Sequence, residues 1–508
     1  MESSILLKWK PVFLGFWIRV YFISVFSAPL GAGAFADSVT RAVPNLVFVV
    51  TDDQRADTLG ALGNTEILTP SLDRLVRAGV TFRRAYSGYP ICYASRAQIL
   101  TGCNVFTALE NYPRSQIREG LDTLAETLSG AGYSTFYCGK WHNDGNPLVR
   151  GYQHTAALYS AGGAKHVKMP SKDPRGMPLT GYRGWTFKNQ QNEAMLEYGV
   201  GLQPNNSRVI GDAVVDVIRN SPADESLFLH VNFAFPHDPR MWPEHREGMY
   251  QAATISLPHN FRTSHDFDHG NQGGRDETLL PKPLDKNLVR EELAIYYAMV
   301  SDVDHQVGRI LKILEETNRL SNTLFVFTSD QGLALGSHGL LGKQNQYEHS
   351  IRSPLVIAGP EGLCANSPRV KTSESDEKRL LINHRVDALV ELSDLFPTLC
   401  DYAGIRIPES VEGKSLLPIM TGKEDAVRDL VFGVFTDSQR MVCGQRWKYI
   451  EYPLADRQQL FDVQNDPSEL ENRISDDSLR DVVSELKNQL NLWRRKNRDP
   501  MLRETHNR

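Results

Sequence analysis

Asn45-Leu-Val-Phe-Val-Val-Thr51 runs directly into Asp52-Asp53. The run is short, rich in β-branched and aromatic residues, and shows no polar alternation. That is the composition of a strand buried on both faces of a sheet. Three other stretches repeat it and also end on polar, chemistry-bearing residues. Ser134-Thr-Phe-Tyr-Cys138 meets Gly139-Lys140-Trp141-His142. Leu227-Phe-Leu-His-Val-Asn-Phe-Ala-Phe235 meets Pro236-His237-Asp238-Pro239, and Thr323-Leu-Phe-Val-Phe-Thr328 meets Ser329-Asp330-Gln331-Gly332.

Helical patterns lie between these runs. Thr69-Pro70 reads as an N-cap and first-turn pair, with Leu72, Leu75 and Val76 on one face and Gly79 as the stop. Leu121 to Leu128 repeats the pattern and stops near Gly130. Arg290 to Glu316 predicts a long amphipathic helix carrying Leu293, Tyr296, Tyr297, Val300, Val303, Val307 and Ile310. Strands alternating with helices predict a mostly parallel α/β sheet flanked by helices. Such sheets bind ligands beyond the carboxyl ends of their strands, where all four polar clusters fall. The stretches 143–205 and 236–285 fit no regular pattern and read as substrate-recognition loops.

After about Thr421-Gly422 the texture changes. Leu430–Phe435, Arg440–Cys443, Trp447–Ile450 and Gln459–Asp462 predict short antiparallel strands. A last helix carries Leu479, Val482, Val483, Leu486, Leu490 and Trp493. The expected organisation is a signal peptide over 1–36, a catalytic domain over 37–424 and a smaller C-terminal α+β domain over 425–508, antiparallel sheet plus helix.

The chain of 508 residues is 41% hydrophobic and 23% charged, an ordinary globular composition that excludes collagen-like, low-complexity and wholly disordered classes. Its 56 basic and 61 acidic residues give a net charge of −5, so no nucleic acid is expected as a partner. The long apolar stretch at the N-terminus has the anatomy of an export signal. Lys8 and Lys10 precede it, it spans Val12 to Phe26, and Ala34-Phe35-Ala36 offers small residues before Asp37. Arg19 in its middle argues against a stable membrane span. The expected location is exported, periplasmic or extracellular. Cys92, Cys103, Cys138, Cys364, Cys400 and Cys443 are too few for a disulfide scaffold and form no C-x-x-C zinc pair.

Asp52, Asp53, Asp330 and Gln331 are oxygen donors at the ends of two predicted strands. Oxygen-only ligation suits a hard cation, Ca²⁺ in preference to the tighter Mg²⁺ cage. Cys92 follows Pro90 and opens a run with helical character, which sets its thiol against a helix N-terminus and Arg96, both favourable to anions.

Cys92-Tyr93-Ala94-Ser95-Arg96, continuing to Leu100-Thr101-Gly102, resembles the sulfatase signature Cys-x-Pro/Ala-x-Arg. Gly139-Lys140-Trp141-His142, Pro236-His237-Asp238-Pro239, Ser329-Asp330-Gln331-Gly332 and Gly342-Lys343 resemble further sulfatase motifs in the family's order. Tyr347-Glu348 with Arg352 and Pro354, and Leu460-Phe461-Asp462 with Asp466-Pro467, extend the likeness towards the C-terminus. The resemblance implies an alkaline-phosphatase-like fold and hydrolysis of sulfate esters, the substrate being a sulfated carbohydrate.

It also implies that a formylglycine-generating maturation enzyme oxidises Cys92, whose hydrated aldehyde, a gem-diol, attacks sulfur as a covalent nucleophile. The implied metal ligands are Asp52, Asp53, Asp330, Gln331 and the modified Cys92. Arg96 and Lys140 would hold diol and sulfate oxygens. His142 would take the diol proton, and His237 with Lys343 would protonate the leaving alcohol. Asp330 is a further candidate base. Gln331 stands where relatives carry Asn or His, and Ala94 where Pro is commoner. His338 reads equally as a substrate contact or a loop residue, Trp141 as packing, and Glu348 with Arg352 as a structural pair. The alternatives are a choline-sulfatase-like enzyme of small substrates, a phosphonate or phosphate ester hydrolase on the same scaffold, and a catalytically silent carbohydrate-binding protein. Oxygen-only ligation with two lysines, and the full Cys, Arg, Lys and His set, weigh against the last two.

Overall fold

The run that begins at Asn45 is the central strand of the molecule. We label it β1 (Asn45–Thr51), and with it β2 (Ser134–Trp141), β3 (Leu227–Asn232) and β4 (Thr323–Ser329). β1 is buried along its whole length because it pairs in parallel on both edges, with β3 on one side and β4 on the other. β2 lies parallel to β3. The computed structural model describes residues 43–504 apart from 115, 165, 174 and 365–377. The export signal read over 1–36 lies outside the described residues.

Among the described residues these four strands sit inside a nine-stranded sheet. Beyond β4 come Leu355–Ala358, Val80–Phe82 and His384–Val386; beyond β2 come His154–Ser160 and Thr186–Lys188. Leu355–Ala358 runs antiparallel to both its neighbours, and Thr186–Lys188 antiparallel to His154–Ser160. The sheet is mixed and mostly parallel, as the alternating pattern predicts.

Two strands correct the reading of 143–205 as irregular. His154–Ser160 and Thr186–Lys188 extend the sheet there. His154–Ser160 is only partly buried and is followed by Gly162-Gly163, so its apolar signal is diluted. The segment 236–285 holds only the short 3₁₀ turns Ala252–Thr254 and Asp276–Thr278.

Helices cover both faces. Alternate β1 residues feed two cores, Leu46, Phe48 and Val50 one, Val47 and Val49 the other. The first takes Ala97 and Leu100 of helix α1 (Cys92–Thr101), the second Met299, Val303 and Val307 of α2 (Lys286–Glu316). α2 starts before the predicted Arg290 because the Asp285 side chain accepts the N–H groups of Asn287 and Leu288. The helix expected over Leu121–Leu128 is Leu124–Gly130, started by a Thr123–Glu126 capping box. Pro70–Ala78 forms as predicted, with Pro70 in the first turn.

The four C-terminal strands are present as an antiparallel sheet, Val431–Phe435, Gln439–Cys443, Trp447–Tyr452 and Arg457–Asp462. Leu486 and Leu490 of α3 (Arg480–Lys496) pack on one face through Val442, Tyr449 and Leu460. The other face meets the main body through Met441, Ile450 and Phe461 against Tyr86, Tyr347 and Ile351. All six cysteines are unpaired. No helix among the described residues is long and apolar enough to cross a membrane.

Candidate active site

β1 and β4 end side by side, and that adjacency builds the site. The Asp330 N–H donates to the Thr51 carbonyl at 3.1 Å, and the Asp53 N–H donates to Asp330 Oδ1 at 3.1 Å. Neighbouring residues of a continuing strand would point to opposite faces. Asp53 instead adopts φ 65°, a left-handed conformation Asp tolerates better than most residues. The turn brings carboxylate oxygens of Asp52, Asp53 and Asp330 within 4.8 Å of one another.

α1 closes one side of this cluster. Cys92 is its first residue, after an extended Ile91, and Cys92 Sγ lies 3.1 Å from Asp52 Oδ1. One turn later Ser95 Oγ donates to the Asp330 carbonyl at 2.5 Å. Arg96 Nε meets Asp330 Oδ2 at 2.9 Å, and its Nη1 donates to Asn232 Oδ1 at 2.7 Å, at the end of β3. Gln331 Nε2 donates to Asp53 Oδ1 at 2.6 Å and lies 3.3 Å from Cys92 Sγ.

Cations line the opposite side. Lys140, fully buried at the end of β2, pairs with Asp52 Oδ2. Lys343 Nζ donates to Asp53 Oδ2 at 2.7 Å and lies 3.5 Å from Asp276. His237 Nε2 is 3.7 Å from the same Asp53 oxygen, and its Nδ1 is 3.0 Å from Asp238 Oδ1. His142 flanks the group in edge-on contact with Tyr93 and Trp185 at 6.3 and 5.2 Å, its Nδ1 without a partner. β2 carries Lys140 within the strand, not beyond it as the sequence suggests. A register shift at Cys138/Lys140, with Gly139 at φ 89°, continues the pairing.

Burial lifts the carboxyls of Asp53 and Asp330 to about 8 and about 6; Lys343 and Arg96 respectively oppose the rise, and neighbouring carboxylates add to it. Burial also acts upward on Asp52, but Lys140 and His237 outweigh it and hold Asp52 well below the usual range. His237 is pushed down to about 4 by burial and Lys343. Burial, then Asp52, drives the Cys92 thiol well above its ordinary value. This corrects the expectation of an anion-favouring setting for that thiol, since desolvation exceeds the pull of the nearby cations.

Buried carboxylates this close repel one another and favour a bound cation. Gln331 Oε1 is also buried without a hydrogen-bond partner. The donors are oxygens of Asp52, Asp53, Asp330 and Gln331, so the residues fit a hard divalent ion.

Each catalytic or metal-ligating residue anticipated from sequence thus lies in or beside one constellation. Sequence reading missed Tyr182, whose hydroxyl donates to Asp52 Oδ2 and whose ring packs on His237 at 4.7 Å. It also missed Asn232, Arg275 and Asp276, and gave Asp238 no role. A polar residue ending an apolar strand was a usable signal for Asn232; nothing in the chain marks Tyr182. Trp141 packs on Tyr137, and Glu348 pairs with Arg352 at 3.5 Å and Lys448 at 3.1 Å, both structural as expected. His338 is buried and stacked on Tyr347 at 4.2 Å.

Fold and site together define a class of protein with a mostly parallel α/β sheet whose strand ends carry a buried carboxylate cluster fit for a divalent ion. The chain belongs to the sulfatase family, whose model matches residues 44–405, and it is a sulfuric ester hydrolase. A second model, N-sulphoglucosamine sulphohydrolase C-terminal, matches residues 336–496. An arylsulfatase of Clostridium perfringens is 29% identical over 469 residues, covering 87% of this chain and 93% of that protein. A Δ4,5-hexuronate-2-O-sulfatase of Bacteroides thetaiotaomicron is 25% identical, covering 87% of each. A structure solved with its substrate D-glucosamine-2-N,6-O-disulfate shares the fold at TM-score 0.71 and 21% identity, over 90% of this chain and 98% of its own.

Proposed function

We propose that the protein is an exported sulfatase of carbohydrate sulfate esters, with Cys92 matured to formylglycine and Ca²⁺ held by Asp52, Asp53, Asp330 and Gln331. The observation that carries this reading is the placement of Cys92. Its Sγ lies 3.1 Å from Asp52 and 3.3 Å from Gln331, so whatever that side chain becomes faces the carboxylate cage. The matured side chain would supply a covalent nucleophile and the ion a Lewis acid.

The chain's own residues supply the rest. Arg96 and Lys140 place positive charge beside the nucleophile and favour the charge that develops on sulfate oxygens. His142, pushed well below its ordinary value by burial and Lys140, is neutral and able to accept a proton. Lys343, kept charged by Asp276 and Asp53, shares one Asp53 oxygen with His237, and the pair stands ready to deliver the lysine's proton to the leaving oxygen. Maturation by a formylglycine-generating enzyme during export completes the site.

The carbohydrate assignment draws support from relatives. One is described as an N-acetylglucosamine-6-O-sulfatase, at 26% identity, and another as an ulvan-active sulfatase, at 27%. A choline-sulfatase is 27% identical, so the test includes that ester. Sulfate release is to be measured over defined sulfated oligosaccharides from algal and glycosaminoglycan sources, with choline sulfate and an aryl phosphate beside them. Turnover of one or more oligosaccharides is expected. Activity confined to choline sulfate, or a strong preference for phosphate, would refute the proposal.

A further inference from the structure

The turn Arg275-Asp276-Glu277 lies in the long 236–285 segment and reaches both groups assigned above to the leaving oxygen, Lys343 through Asp276 and His237 through Asp238. Arg275 grips Asp238 as a fork, Nη1 to Oδ2 at 3.0 Å and Nη2 to Oδ1 at 2.9 Å. The same guanidinium pairs with Asp276 Oδ1. Asp238 faces His237 Nδ1 at 3.0 Å, while Asp276 faces Lys343 Nζ at 3.5 Å. Glu277 then accepts the N–H groups of Leu341 and Gly342 at 2.9 and 2.8 Å, fixing the backbone just before Lys343. The loop opposite is pressed against this bracket, for a Cβ on Gly181 would lie 2.3 Å from the Asp238 carbonyl oxygen and 2.9 Å from Arg275 Nη1.

We propose that Arg275 is a positioning residue, setting His237 and Lys343 through Asp238 and Asp276; the inference rests on the sulfatase reading above. Both carboxylates are buried, and a bidentate guanidinium is the geometry that holds two of them in register. Without it the two carboxylates repel and move apart, and the His237 and Lys343 groups they orient move with them. Arg275 itself is partly exposed and acts through its two partners.

A group that places the leaving-group proton donors matters most when the leaving oxygen is basic. Acidic phenols depart without help; sugar and alkyl alcohols do not. The test compares wild type, Arg275→Ala and Arg275→Lys, all matured at position 92, on aryl sulfates of graded phenol acidity and on one sugar sulfate. Arg275→Ala is expected to lose about 10- to 100-fold in kcat on the poorest leaving group and less than about threefold on the best, with KM little changed. Arg275→Lys, which keeps charge but not the fork, is expected to fall between. An equal loss on every substrate, or none, overturns the inference. If Arg275→Ala fails to fold, Arg275→Lys and Asp238→Asn decide it by the same leaving-group comparison. A wild-type enzyme inert on every sulfate ester overturns the sulfatase reading and this inference with it. An active wild type whose variants show flat losses overturns this inference alone.

Discussion

Arg96 holds the Asp330 carboxylate and the Asn232 amide at once, joining α1 to the ends of β4 and β3. Lysine preserves the charge but cannot reach both with one fixed fork. Arg96→Lys is therefore expected to lower kcat by roughly 100-fold, read by steady-state kinetics on an aryl sulfate. Arg96→Ala leaves a buried carboxylate uncompensated and is expected to cost about 3–5 kcal/mol of stability as well. At this scale much was legible in the chain. Asp52, Asp53, Asp330 and Gln331 follow apolar runs directly, so the strand that positions each is written beside it. Tyr182 reaches Asp52 from 130 residues away, with no local signal of that contact. Arg275 and Asp276 are equally silent, because their meaning lies in Asp238 and Lys343 on other loops.

At the scale of elements, Gly139 shows how a backbone choice sets a catalytic side chain. It sits at φ 89° between Cys138 and Lys140, and a Cβ there would lie 2.1 Å from the Asn232 carbonyl oxygen. Gly139→Ala is expected to part β2 from β3, lower the thermal midpoint and reduce kcat at least tenfold through displaced Lys140. A second case is the contact of α2 with Pro70–Ala78, where Asp304 accepts the Leu72 N–H at 2.7 Å. Burial raises the Asp304 carboxyl from 3.8 to about 6, against that hydrogen bond. The folded protein thus keeps a proton that the unfolded chain releases. The stabilisation is complete below about pH 4 and is lost as pH rises through about 6. Asp304→Asn keeps an acceptor for Leu72 without the titration. It is expected to gain about 3 kcal/mol relative to wild type between about pH 4 and pH 8, by denaturation at the two pH values. The four site-bearing strands were legible because their residues are nearly all buried and mostly apolar, and the C-terminal sheet because short apolar or aromatic stretches such as Val431–Phe435 recur between polar turns. His154–Ser160 and Thr186–Lys188 were not, since the first is only partly buried and the second is only three residues long.

At the scale of the whole molecule, one sheet edge collects charge from strands more than 270 residues apart, as the Asp53–Asp330 contact shows. On the function proposed above, three buried carboxylates at such a junction would make a bound cation part of the fold's stability. Adding Ca²⁺ to chelator-treated protein at 100 times its Kd is expected to stabilise it by about 2.7 kcal/mol, a rise of roughly 3–6 °C in thermal midpoint, and to restore activity. A midpoint indifferent to Ca²⁺ and to chelator would remove the ion from the account. The mostly parallel architecture followed from the alternation of buried runs with helical patterns. The contact between the two long loops did not, because bonds such as that from Arg175 Nη2 to the Arg240 carbonyl, 3.1 Å, depend on the finished tertiary structure.

Cys92, the first residue of α1 and 3.1 Å from Asp52, is the proposed precursor of the nucleophile. Mass spectrometry of the peptide containing position 92, from protein active on a sulfate ester, tests it most directly. A side chain that has lost its sulfur and gained an aldehyde oxygen, in proportion to specific activity, is expected. An intact thiol throughout a fully active preparation would contradict it.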